Sequence, residues 1–190
     1  MDFIKVIKEL SLMQQVYATF FSVTNKIQSS GDEYLEELTS RQYMTIVSIL
    51  HLNIEENNIN NIAKKLGTSK QNAQKIVSSL AKKGYIEITP DERDRRYVNV
   101  SLTDLGKEVT VACSEKMINF MADLFGEFSL EELETLWKLL IKLFRFDGIE
   151  HDGFEKEATD KILVENQDFI GMKYLEEFAK RRNKRNKEEL

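Results

Sequence analysis

The sequence predicts a mainly α-helical fold that carries a helix-turn-helix and a small β-hairpin. The chain has 190 residues with one proline and eight glycines, a composition typical of a helical protein with room for a core. Residues 60–84 follow a helix–turn–helix pattern, and two short alternating strands with an arginine-rich tip come directly after it. Apolar seams on both sides of this region predict N- and C-terminal helices that pair two copies of the chain.

The first predicted element is an amphipathic helix over residues 3–27, which Gly31 and Asp32 are expected to break. Its apolar side chains recur at alternating steps of three and four residues, the heptad spacing of a helix that packs on another helix. They are Phe3, Val6, Leu10, Met13, Tyr17, Phe20 and Ile27, with Thr24 the one polar member. A seam this long outreaches the core of a small domain, so we favour packing between subunits over burial within one chain.

Two shorter helices are predicted next. Thr39 is a suitable N-cap for a helix that runs to about His51. Its apolar stripe consists of Tyr43, Ile46, Val47 and Leu50. After a polar loop, Asn60 is expected to cap a short helix that ends at Gly67 in a left-handed conformation.

The helix after the turn has one apolar and one polar face. Ser69 is its expected N-cap, and the helix closes before Gly84. The core face consists of Ala73, Ile76, Val77 and Leu80. The opposite face carries Gln71, Gln74, Lys75 and Ser78. Side chains of these types hydrogen-bond base edges and phosphates, and no acidic residue interrupts them.

A β-hairpin is predicted directly after this helix. Apolar and polar residues alternate over 86–89 and again over 98–101, which is the period of half-buried strands. Pro90, the only proline of the chain, cannot donate to a strand ladder and suits the point where the first strand ends.

Two further helices are predicted after the hairpin, with Thr103 and Ser129 as their N-caps. The second of them has an apolar face wider than a surface helix needs. That face consists of Leu133, Leu136, Trp137, Leu140, Leu143 and Phe144. Together with residues 3–27, it predicts a helical dimer interface.

Basic charge is concentrated in the helix-turn-helix and the hairpin. Residues 61–102 contain nine Lys and Arg against four Asp and Glu, a net charge of +5, whereas the whole chain carries −5 and the remainder therefore −10. A basic region on an acidic protein focuses positive potential on one surface. A helix-turn-helix places its second helix in the DNA major groove, and a charged hairpin beside it reaches phosphates or the minor groove. Sequence-specific binding of double-stranded DNA is therefore the leading interpretation.

With these residues in view, about residues 5–145 resemble the MarR family of winged helix-turn-helix transcriptional regulators. At the hairpin, the matching residues are Asp94-Arg95-Arg96 and, five residues later, Leu102-Thr103-Asp104-Leu105-Gly106. Upstream, they are Leu38-Thr39 with Gln42, Ile62 to Gly67, and Leu80 to Ile86. The resemblance implies a homodimer with helices from both chain ends in its interface. It also implies repression, or less often activation, that a small ligand, oxidation or a metal releases.

Several residues follow as DNA-binding candidates. They are Ser69, Lys70, Gln71, Asn72, Gln74, Lys75, Arg93, Asp94, Arg95 and Arg96. The resemblance implies that the helix from Ser69 enters the major groove and that the arginines of the tip reach the minor groove, with Asp94 orienting Arg96. Amide side chains suit adenine edges, lysines suit phosphate or guanine, and arginines suit a narrow A·T-rich minor groove. Asn72 has a second explanation, because its position in the first helical turn also suits local capping.

Other kinds of site find little support. Cys113 lies mid-helix among apolar residues, so we expect a buried, inert thiol rather than a redox sensor. It is the only cysteine, and His51 and His151 are far apart, so no metal and no cofactor are expected. No catalytic motif is present, and the chain is not expected to be an enzyme. Fold analogy suggests a pocket for an effector, lined by Phe20, Phe21, Tyr43 and Met44.

We divide the chain into an N-terminal dimerisation helix (1–34), a DNA-binding lobe (35–102), C-terminal dimerisation helices (103–146) and an extension (147–190). The extension exceeds the usual family length, and its basic end suits a solvated tail, a contact to DNA phosphate or a brace on the partner subunit. The sequence lacks a secretory signal pattern and an apolar run of about 20 residues, so a cytoplasmic location is expected. The alternative function is a winged-helix module that binds an acidic protein partner without DNA readout.

Overall fold

The computed structural model describes residues 2–90, 98–148, 154 and 172–185, and within them it confirms the mainly helical fold with one hairpin. The helices on the N-terminal side are α1 (Phe3–Leu35), α2 (Ser40–His51), a 3-10 helix (Ile54–Glu56), α3 (Ile59–Lys65) and α4 (Lys70–Lys82). The remaining elements are β1 (Ile86–Pro90), β2 (Val98–Leu102), α5 (Asp104–Leu124), α6 (Leu130–Phe144) and α7 (Met172–Arg185).

Helix α1 does not break at Gly31 and Asp32, as the sequence had suggested, but continues to Leu35. Gly31 is buried, and a Cβ at this position would lie 2.5 Å from the hydroxyl oxygen of Ser40. The glycine therefore serves close packing between α1 and the start of α2. Asp32 reinforces this contact, because its carboxylate accepts a hydrogen bond from the backbone N–H of Ser40 at 2.5 Å.

The buried stripe of α2 is rotated from the predicted one, because Leu50 is exposed while Ile46 and Ile49 are buried. Polar residues share the buried side, and they are Gln42, Thr45 and Ser48. Their hydrogen bonds make this burial tolerable. Gln42 donates to Ser79 on α4 at 3.0 Å, whereas Thr45 and Ser48 donate to backbone carbonyls of their own helix. The prediction used apolar residues alone, so it did not identify the buried side of α2 correctly.

Helix α3 begins two residues earlier than predicted, with Asn58 and not Asn60 as its N-cap. The Asn58 side chain accepts hydrogen bonds from the backbone N–H groups of Asn60 and Asn61, each at 3.1 Å. The predicted end is confirmed, since Gly67 has a φ of 61°, a left-handed conformation that glycine adopts without steric cost.

The hairpin and α4 share one core with α2, α3, α5 and the C-terminal third of α1. Fully buried side chains in this core are Leu35, Leu38, Ile46, Ile62, Val77, Leu80, Val100 and Cys113. Strands β1 and β2 pair antiparallel, with Ile86 opposite Leu102 and Pro90 opposite Val98. The Val100 N–H also donates to the carbonyl of Asn57 at 2.8 Å, which ties the hairpin to the loop before α3.

Two long apolar surfaces remain outside this core. The first belongs to α1, where Phe3, Ile4, Val6, Ile7, Leu10, Leu12, Met13, Val16, Tyr17 and Phe21 are exposed. The second belongs to α6, which is fully described and has no buried residue in the single chain. The exposed residues of α6 include Trp137, Leu139, Leu140 and Leu143. Monomeric proteins rarely expose apolar area on this scale, so both surfaces call for a partner.

Candidate nucleic-acid interface

Helix α4 has a polar face exposed to solvent and an opposite face that is packed into the core. Ala73, Val77 and Leu80 are completely buried on its inner side. The outer side carries Ser69, Lys70, Gln71, Gln74 and Lys75, all of which are exposed. Two amides and two ammonium groups on one rigid face are the side chains that hydrogen-bond base edges and phosphates in a major groove.

The first turn of α4 shows which candidates have local roles. The hydroxyl of Ser69 accepts a hydrogen bond from the N–H of Asn72 at 3.2 Å, so Ser69 is the predicted N-cap. The side-chain amide of Asn72 donates to the hydroxyl of Thr68 at 2.9 Å, which matches the local alternative for this residue. Gln74 donates weakly to Ser78 at 3.4 Å and keeps its exposed position.

The hairpin is joined at its base to the end of α4 and to the start of α5. Thr103 makes the joint: its N–H donates to the carbonyl of Tyr85 at 3.1 Å and its hydroxyl donates to the carbonyl of Gly84 at 2.6 Å. The same hydroxyl accepts the N–H of Gly106 at 3.0 Å and so caps α5. The hairpin and the outer face of α4 therefore form one unit. The candidates Arg93, Asp94, Arg95 and Arg96 lie outside the described residues.

A network of charged side chains supports α4 from behind, and the sequence did not indicate it. Lys83 donates from its ammonium group to the carbonyl of Glu37 at 2.9 Å and to the side chain of Gln42 at 3.0 Å. Lys116 on α5 donates to the carboxylates of Glu36 and Glu37, each at 2.9 Å. The hydrogen bond from Lys116 lowers the pKa of Glu37. Lys83, which was counted in the basic region, is thus hydrogen-bonded to its own chain, although the residue is exposed.

A cleft of ≈ 1110 Å³ lies between α1, α3, the start of α4 and α6. Phe20 and Phe21 line its apolar side, together with Trp137, Leu140 and Phe144. Its polar side includes Asn60, Lys64, Thr68 and Lys70. The structure thus brings two of the four effector candidates together.

The other two effector candidates do not line this cleft. Tyr43 faces α5, where its hydroxyl lies 3.2 Å from that of Ser114, and its burial raises the pKa of the phenol. Met44 is half-buried on α2.

Cys113 is a completely buried thiol whose sulfur lies 4.0 Å from the carbonyl oxygen of Leu35. Burial raises the pKa of the Cys113 thiol to about 11, and the negative charge of Glu37 adds to the effect. The thiolate is the reactive form, so this environment disfavours oxidation and alkylation.

We expect Cys113 in the native protein to react with a thiol reagent at pH 8 about a hundredfold more slowly than an ordinary exposed cysteine. Release of a chromophore from an aromatic disulfide reagent measures the rate. The same protein in denaturant is the control and should react at the ordinary rate. Equal rates in the two states would show that the thiol is accessible in the folded chain.

The described part of the chain has neither a metal-binding cluster nor a membrane-spanning helix. Among these residues, no group of three or more His, Cys, Asp and Glu side chains is arranged to hold a metal ion. Among the same residues, no helix has the length and apolar character needed to cross a membrane.

Known proteins with similar sequences are transcriptional regulators. A sequence model of the MarR family matches residues 39–96, which cover α2, α3, α4 and the first strand of the hairpin. The transcriptional activatory protein BadR of Rhodopseudomonas palustris is 25% identical over 162 residues, which cover 80% of this chain and 90% of that protein. The transcriptional repressor MprA of Escherichia coli is 34% identical over 94 residues, or 49% of this chain and about half (53%) of MprA.

Solved structures show the same fold. The structure of a MepR–DNA complex from Staphylococcus aureus superposes with a TM-score of 0.62 at 23% identity. The match covers 67% of this chain and 95% of that chain.

Proposed function

We propose that this chain, which belongs to the MarR family, is a sequence-specific double-stranded DNA-binding transcriptional regulator that acts as a homodimer. It represses its target genes until a small ligand releases it from the operator. The observation that carries this function is the exposed, acid-free polar face of α4 on a helix whose other side is completely buried. An interaction module that ignores DNA would not need that face.

In the proposed complex, α4 lies in the major groove and the hairpin tip lies beside it over the backbone or the minor groove. Gln71 and Gln74 read base edges, and Lys70 and Lys75 bind phosphate or guanine. Arg93, Arg95 and Arg96 approach the minor groove, with Asp94 orienting Arg96. Ser69 and Asn72 hold the first turn of α4 in shape and present its N-terminal N–H groups to phosphate.

Dimerisation follows from the two uncovered apolar surfaces. The seam of α1 and the wide face of α6 bury their apolar side chains only if a second copy covers them. A twofold pair places two α4 helices against one duplex, so the operator is pseudo-palindromic with half-sites about one helical turn apart. We assign residues 1–34 and 103–146 to dimerisation and 35–102 to DNA binding, and we place the protein in the cytoplasm, where it meets DNA.

The cleft between α1, α3 and α6 is the proposed effector site. Its aromatic side suits an apolar molecule, and its lysines suit a negative charge on that molecule. Lys70, the first residue of α4, lines this cleft, and so does Thr68, which directly precedes the N-cap of α4. A ligand that contacts these residues changes the position of the reading helix, which lowers affinity for the operator by its differential binding to the two states.

The function is tested by selecting duplexes from a random pool with the purified full-length chain. We expect a pseudo-palindromic consensus and an affinity that falls steeply with salt, because binding to phosphates releases counterions. Repeating the binding with candidate effectors should identify the ligand by loss of affinity. Retention that shows no preference among duplexes, at any ionic strength, would remove sequence-specific readout from the proposal.

We expect Lys75→Ala to weaken operator binding and to reduce the slope of log affinity against log salt by about one unit, the value for one phosphate contact. Fluorescence anisotropy over a salt series measures both quantities. Lys138→Ala is the matched control, because it removes one exposed lysine from α6, away from the proposed interface. If the two variants have the same slope, the phosphate contact assigned to Lys75 is wrong.

A further inference from the structure

The C-terminal helix α7 packs along α5 of the same chain, beyond the part of the chain that the family resemblance covers. Two adjacent, partly buried arginines, Arg181 and Arg182, make its polar contacts with this region. Both guanidinium groups are hydrogen-bonded to the same chain in this arrangement, although part of each side chain stays exposed. The basic end of the sequence therefore includes side chains with an intramolecular role that none of the earlier alternatives described.

Arg182 binds the corner between α5 and α6. Its Nη1 donates to the carbonyl of Phe125 at 3.0 Å, and its Nη2 donates to the carbonyl of Phe128. These two carbonyls lie between the last residue of α5 and the N-cap of α6. A planar guanidinium holds two acceptors in one fixed geometry, and its positive charge is favourable at the C-terminal end of α5.

Arg181 binds Asp123, two residues before Phe125 and within the last turn of α5. Its Nη1 donates to the carboxylate of Asp123 at 3.1 Å, and the same carboxylate oxygen accepts the hydroxyl of Tyr34 at 2.6 Å. Tyr34 belongs to α1, and its ring lies 5.1 Å from that of Phe120 on α5. This carboxylate consequently joins α1, α5 and α7 at one point.

The corner between α5 and α6 affects the direction in which α6 leaves the rest of the chain. All residues of α6 are described, and none is buried against its own chain. Its direction relative to the DNA-binding lobe therefore depends on the conformation of the residues from Phe125 to Ser129, together with the approach of Phe144 to Gly67 at the other end of the helix. The same helix carries one of the two proposed dimer surfaces, so its direction affects how two lobes are held relative to each other.

We propose that α7 is a clamp on the α5–α6 corner, in which Arg181 and Arg182 act as positioning residues that set the direction of α6. Through α6, the clamp sets the separation of the two α4 helices in the dimer and thus the half-site spacing that the protein prefers. This last step rests on the proposed function, whereas the effect on α6 does not.

The first test measures the direction of α6 within one chain. Spin labels at Lys82→Cys and Lys138→Cys report the distance from the end of α4 to α6, with unlabelled protein in excess so that only pairs within one chain contribute. Arg181→Ala/Arg182→Ala is expected to broaden or shift the distance distribution by about 3 Å, the displacement that a tilt of about 15° about the start of α6 produces at residue 138. Lys180→Ala, an exposed neighbour on α7, should leave the distribution unchanged.

The second test uses duplexes in which the two half-sites are separated by different numbers of base pairs. In the double variant, the preference for the best spacing over a spacing one base pair longer should fall by about tenfold, comparable to the loss of one specific contact. Lys180→Ala should retain the full preference. If the double variant does not fold, Arg182→Lys gives the same readouts, since one ammonium cannot hold both carbonyls as a guanidinium does.

Each outcome decides the proposal. Unchanged distances in a folded variant overturn the clamp. Changed distances with an unchanged spacing preference keep the clamp and overturn its role in half-site selection. If the wild-type chain binds no duplex, the proposed function fails, and the distance measurement still decides whether the two arginines position α6.

Discussion

Replacement of Gly106 by alanine is expected to destabilise the protein by about 3 kcal/mol or more, in spite of the higher helix propensity of alanine. Gly106 is buried in the first turn of α5, directly beneath the backbone of Tyr85. A Cβ there would lie 2.8 Å from the carbonyl carbon of Tyr85 and closer still to its oxygen. Both partners are backbone, so neither side chain rotation nor a small shift relieves the clash.

The experiment decides whether Gly106→Ala lowers or raises the stability of the protein. Replacing an ordinary glycine in a helix by alanine increases the stability of the protein by up to about 1 kcal/mol. Thermal unfolding followed by circular dichroism should instead show a melting temperature lower by about 10 °C for a protein of this size. Glu108→Ala, an exposed substitution on the same helix, is the control and should leave the melting temperature nearly unchanged. A more stable Gly106→Ala variant would show that α5 does not approach Tyr85 this closely.

Charges introduced into the α1 seam should abolish the dimer and, with it, most of the operator affinity. Leu10 and Met13 are both exposed in the single chain and both belong to the heptad seam. In Leu10→Asp/Met13→Asp, two carboxylates would have to be buried without partners in the interface, which is strongly unfavourable. We expect a monomer in sedimentation experiments and an operator affinity lower by about a hundredfold, because the second half-site no longer binds as part of one molecule.

The matched control adds the same charges on the other side of α1. Ser11→Asp/Gln15→Asp changes two exposed polar residues outside the seam, so dimerisation should survive and affinity should fall only slightly. If both double variants remain dimeric, the seam is not the interface. If both lose affinity equally while staying dimeric, the effect is general repulsion between added negative charge and DNA.

The parts of the fold that could be predicted from the sequence depend on local chemistry. Thr39, Ser69, Thr103 and Ser129 were all predicted as N-caps, and each hydroxyl accepts a backbone N–H in the structure. An N-cap needs only a suitable side chain followed by a helical pattern, and both are readable within one turn. The hairpin was predicted for the same reason, from its period of two and its strand-ending proline.

The structure differs from the sequence prediction where contacts with residues distant in the chain determine the local structure. Gly31 looks like a helix breaker until Ser40 is known to pack against it. Gln42 looks like a surface residue until Ser79 and Lys83 are known to be its partners. The same limit applies to the candidate interface: the polar face of α4 was visible from its spacing, whereas the support by Lys83 and the contacts of Arg182 depend on residues far away in the chain.

The hydrogen bonds of Thr103 have a consequence for how the DNA specificity of such a protein can change. Because this residue joins the hairpin to the end of α4, and Val100 joins it to the loop before α3, the two elements that we propose to contact DNA cannot change direction independently. New DNA specificity must then arise by exchanging exposed side chains on α4 and the hairpin, while the backbone arrangement of these elements stays the same. Grafting the outward residues of α4 from a relative onto this chain should transfer that relative's preferred bases, with no redesign of the scaffold.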